Sequence, residues 1–127
     1  MKALIISLCI LLFIIALWFW SLSYMDQSIN EMIDIIDNDL QLAITNDNWK
    51  EAENQFFIMK KIWNQHQSMY NLFIDQASLT EINYSNAKLG VFLNYKNPVL
   101  ALSELSYIKE HLLSLHKDEL ISIENIL

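Results

Sequence analysis

Between Lys2 and Asp26 the chain carries no charged side chain, and so long an apolar run admits few fates. At 1.5 Å per residue, a helix from Ala3 to Leu22 is about 30 Å long, the thickness of a bilayer's hydrocarbon core. Trp18, Phe19, Trp20 and Tyr24 gather at its far end, where amphipathic rings favour the headgroup level. The competing fate is a cleaved signal peptide, for which Ser21-Leu22-Ser23 offers a small-x-small site. A signal peptide's apolar region is typically about 7–15 residues, shorter than this one, and Trp18 and Trp20 would crowd the approach to the cleavage site. An uncleaved signal-anchor over residues 1–24 is therefore expected, followed by a domain over residues 25–127. Lys2 precedes the span, whereas Asp26, Glu31 and Asp34 come after it. The positive-inside bias then predicts a single-pass protein of the cell membrane, N-terminus cytoplasmic and domain extracytoplasmic.

The chain beyond the span amounts to one domain, able to bury one modest core. A single Gly and a single Pro point to long helices with few connections. All eight basic residues are lysines. Without an arginine fork, and with seven lysines against fifteen carboxylates after the span, nucleic acid is an unsuitable partner. The lone Cys9 sits inside the apolar run, so no intrachain disulfide can form. Leu8 precedes it where lipidation needs a small residue.

Apolar residues recur at helical spacing along the domain. Ile29, Ile33, Ile36, Leu40 and Ala43 step by three and four, which extends the anchor as one rod to about Ile44. Thr45-Asn46-Asp47-Asn48 predicts a turn, and Asn48 with Glu51 resembles a capping box that starts a helix at Trp49. Trp49, Ala52, Phe56, Met59, Trp63, His66, Tyr70, Phe73 and Ala77 alternate steps of three and four, the rhythm of a packing seam. Ser78-x-x-Glu81 predicts a new helix or a kink, with Leu79, Ile82, Leu89 and Leu93 as its apolar face. Asn86 interrupts that face, and Gly90 lies within a helix expected to reach about Tyr95. Asn97-Pro98 predicts an N-cap and first position for a last helix to about Lys117, burying Ala101, Leu105, Ile108, Leu112 and Leu115. The fold class expected is all-α: an N-terminal transmembrane helix continuing into an antiparallel up-and-down helical bundle. The terminal Ile121, Ile123, Ile126 and Leu127 are apolar for a chain end, and are expected to fold back on the bundle or to contact a partner.

Motifs of chemistry do not emerge. His111 and His116 stand about 140° apart around a helix, no Glu-x-x-His pair exists, and His116-x-x-Glu119 has no mate. His66, with Met59 or Met69, is the one combination that resembles axial haem ligation, and a satisfied core histidine explains it better. No Gly-x-Ser-x-Gly or glycine-rich phosphate loop is present, and the only thiol lies in the span. No catalytic activity, metal or cofactor is expected.

The charge-poor start, the span ending in aromatics, Trp49 and Trp63 on the second helix, Leu102-Ser103-Glu104-Leu105, and the closing Ser122-Ile123-Glu124-Asn125-Ile126-Leu127 form one overall pattern. It resembles an uncharacterised family of short single-pass membrane proteins of spore-forming Firmicutes, known as a domain of unknown function. That resemblance implies a membrane-tethered helical domain, sometimes encoded beside a multi-span membrane protein, and brings no catalytic residues. The function expected is that of an accessory protein that sits in the lipid bilayer and binds another integral membrane protein, with homo-oligomers also admitted. The alternative is an extracytoplasmic four-helix sensor or small-ligand module; with no second span before Leu127, it would have to signal through a partner.

Overall fold

The structure is a computed structural model that describes the backbone of residues 1–126, and the side chains up to Leu115 other than that of Phe73. Four helices form among the described residues: α1 (Lys2–Thr45), α2 (Trp49–Phe73), α3 (Gln76–Asn94) and α4 (Pro98–Ile126). Short connections force antiparallel neighbours. α1 packs on α2, α2 on α3 and α3 on α4, and α4 closes the ring against α1. No strand occurs among the described residues. The all-α bundle on a long N-terminal helix is thus the architecture that forms.

α1 changes character along its length. From Lys2 to Trp20 every side chain is exposed, and this half is long and apolar enough to cross a membrane. Beyond it Leu22, Met25, Ile29, Met32, Ile36 and Leu40 are buried. Met32 occupies the core position expected of Ile33, which is only half-buried. Over Ile35–Leu40 the rod widens into a π turn. Leu40 is buried at its end and Asp39 stays exposed.

Two of the three connections share one design. Asp47 and Lys96 adopt left-handed φ values of 57° and 55°. The N–H of Asn48 donates to the Ala43 carbonyl at 2.8 Å and that of Asp47 to Ile44 at 3.2 Å. The N–H of Asn97 donates to Phe92 at 3.0 Å and that of Lys96 to Leu93 at 3.1 Å. These are Schellman closures, made with Asp and Lys where glycine is usual. Each then hands over directly to a cap: Asn48 Oδ1 accepts from Glu51 N–H at 3.4 Å, and Asn97 Oδ1 from Leu100 N–H at 3.1 Å. Both caps fall where the sequence places them.

The third connection does not. The seam rhythm runs on to Ala77, but α2 stops at Phe73 and Ile74 is extended, with φ −119° and ψ 144°. Asp75 caps α3, its carboxylate accepting from Ala77 N–H at 3.4 Å. Ile74 packs against the core, so the chain must leave the helix to bring it inward. The helix therefore starts before Ser78, which lies half-buried inside α3, and Ala77 is exposed. α4 likewise passes Lys117, its expected end, and runs to Ile126.

Two sets of polar atoms in and beside the core satisfy one another. Trp63 Nε1 donates to Asn83 Oδ1 at 2.7 Å. Ser28 Oγ donates to the Met25 carbonyl at 2.8 Å, which leaves the Tyr70 hydroxyl to donate to Ser28. Gly90 stays inside α3 because the helices approach closely there: a Cβ would stand 3.3 Å from Phe56 Cε1.

Candidate interaction surface

Beside the π turn, α1 and α4 do not close completely. Between them lies an open groove of about 310 Å³. Ile36, Leu102 and Leu105 make its apolar floor, and Gln41, Ser106, Lys109 and Glu110 line it with polar groups. Ile36 belongs to the π turn. Asp37, on the same turn, accepts from Lys109 Nζ at 2.8 Å and ties α4 to α1 at the edge of the groove. Asp37 and Glu110 together outweigh Lys109, so this edge is net negative and favours neutral or basic groups. The volume lies at the lower end of small-molecule sites and also suits one or two side chains of a docking segment.

None of this is written as a motif. The groove's residues come from two stretches some sixty positions apart, with no local signal to join them.

The residues that sequence chemistry singles out lie elsewhere. His66 is half-buried at the edge between α1 and α2, its ring edge-on to Tyr24 at 4.8 Å and tilted on Tyr70 at 6.2 Å. Met59 points into the core, two turns away along the same helix. His111 packs on Tyr107 at 4.5 Å between ring centres. Cys9 is exposed on the apolar half of α1. Among the described residues, no three His, Cys, Asp or Glu side chains come together as a metal-ligand set. Ile121, Ile123, Ile126 and Leu127, the expected partner contacts, lie outside the described side chains, as does His116.

Residues 19–126 match the model of a family described as a domain of unknown function, DUF4363. The match takes in the aromatic end of the apolar helix and the whole bundle. No curated protein and no solved structure matches the chain.

Proposed function

The chain belongs to the DUF4363 family, and on that premise we propose that it is a single-pass, membrane-anchored accessory protein. In this reading it presents its bundle outside the cytoplasm and binds a second membrane protein through the groove between α1 and α4. One observation carries the proposal: a single unbroken helix is bare and apolar in its first half and buried in its second. A bare apolar helix is costly in water and stable in lipid, so the bundle is fixed to the membrane by a rigid post. Lys2 before the span and Asp26, Glu31 and Asp34 after it favour the outward orientation.

Height narrows the partner. Ile36 lies fourteen residues beyond the end of the span at Leu22, which raises the groove about 20 Å above the hydrocarbon boundary. The partner must therefore carry an extracytoplasmic loop or domain of that reach, with neutral or basic groups at the contact.

A photo-crosslinking residue at Ser106, in the full-length protein in its native membranes, tests this. The expected product is a single adduct with a membrane-spanning companion, weakened by Glu110→Lys. No adduct, or an adduct only with a second copy of the chain, would overturn it. The groove's volume also supports the sensor alternative. A ligand-dependent rise in Tm that disappears in Ser106→Trp would favour that second reading.

A further inference from the structure

We propose that the turn between α2 and α3, led by Leu72, is a second membrane contact, docking into the lipid headgroup layer beside the anchor. The inference rests on the reading of α1 as a membrane span.

The packing register sets the level of this turn. Buried positions on α1 begin only at Leu22, so the bundle starts where the span ends. α2 runs back towards that end. The His66 ring meets Tyr24 at 4.8 Å, and Leu72 lies six residues, about 9 Å, further along α2 towards the anchor. The same distance back along α1 from Tyr24 reaches Trp18. The second tie is Tyr70 to Ser28, and Leu72 lies about 3 Å beyond it, the level of Asp26. The two contacts bracket Leu72 between Trp18 and Asp26. Midway is Leu22, the end of the hydrocarbon span.

At that level Leu72 faces outward, 79% exposed, the most exposed large apolar residue of the bundle among the described side chains. Its neighbour Ile74 packs against the core, so the turn is held in place rather than hanging free. Asn71, Asp75 and Gln76 are exposed around it. Such polar neighbours suit the headgroup layer and forbid the acyl interior, which fixes the depth. Exposure alone would not carry the inference: Val99, at the far end of the bundle, is 74% exposed. The two differ in distance from the membrane end, and that makes Val99 the control.

A contact of this kind would fix the tilt of the bundle as well as its tether. A helix alone leaves the angle of its domain open, whereas two contacts on one side restrain it.

The test uses full-length protein in phosphatidylcholine vesicles. Cys9→Ser removes the native thiol, and Leu72→Cys, Val99→Cys or Ile10→Cys supplies one site for an environment-sensitive fluorophore. Lipids carry a nitroxide quencher either near the headgroup or near the acyl-chain end. The expected result is loss of fluorescence at position 72 with the shallow quencher, no loss at position 99, and loss at position 10 with the deep quencher. Quenching at position 10 with position 72 no more quenched than position 99 would overturn the turn contact and leave the anchor standing. Absence of quenching at position 10 would overturn the span reading, and the turn contact with it.

Discussion

The Nζ of Lys109 lies 2.8 Å from Oδ1 of Asp37, joining α4 to the π turn of α1 at the edge of the groove. The two side chains are 35% and 37% exposed, so water and salt screen the pair. Its contribution to stability is expected to be about 0.2–1 kcal/mol. A double-mutant cycle of Lys109→Met and Asp37→Asn in urea should return a coupling of that size, shrinking in high salt. A salt-independent coupling above about 2 kcal/mol would mean that the pair is desolvated in solution. The function assigned to the groove predicts a different sensitivity: Glu110→Lys, on a groove-lining residue outside this ion pair, should reduce crosslinking from position 106 far more than it reduces stability.

Asn86 is the costly residue of the core. It is 4% exposed among Met59, Trp63, Ile82 and Ile108, and its side-chain carbonyl accepts no hydrogen bond. A buried acceptor without a donor costs about 1–3 kcal/mol. Asn86→Leu is therefore expected to raise stability by about 1–2 kcal/mol in urea unfolding, less whatever strain the bulkier side chain imposes. A fall in stability would show that the carbonyl finds a donor, such as an interior water, in solution.

Lys96 holds a left-handed backbone at φ 55° without the freedom of glycine. That conformation costs an ordinary L residue about 1–2 kcal/mol. Glycine returns part of the gain through the larger entropy of its unfolded chain. Lys96→Gly is expected to stabilise the protein by about 0.5–1 kcal/mol, read as a higher Tm. Asp47→Gly should gain less, because Asp tolerates left-handed geometry better than Lys. Equal gains would argue that side-chain chemistry at the turn is irrelevant.

How much of the fold was legible depended on how local each cause is. The buried faces of α3 and α4 were legible because steps of three and four alone put Leu79, Ile82, Leu89 and Leu93, and Ala101 to Leu115, on one side. The caps at Asn48 and Asn97 were legible because the signal lies within three residues of its effect. The break at Ile74 was hidden, since Ala77 continues the seam's rhythm across a turn that exposes it. Asp75 was the available clue, an acceptor well placed to cap a helix. The groove was illegible for another reason. It is lined from α1 and from α4, and how two helices fit leaves no trace in the periodicity of either.

Tyr107 offers a test in the alkaline range. Its hydroxyl donates to Glu81 Oε2 at 3.0 Å, bridging α4 to α3 on the bundle surface. That bond, then desolvation, then the negative charges of Glu81 and Glu104 lift its ionisation above the ordinary value near 10. The folded state binds this proton more tightly than the unfolded chain does, so the contribution is complete below pH 10 and fades as pH rises through the folded value. The wild type should therefore lose Tm between neutral pH and about pH 11 by more than Tyr107→Phe does, with the curves converging at the alkaline end. Thermal melts of both proteins across that range, with lysine titration common to the two, isolate the difference. Parallel curves would mean that the hydroxyl prefers water to Glu81.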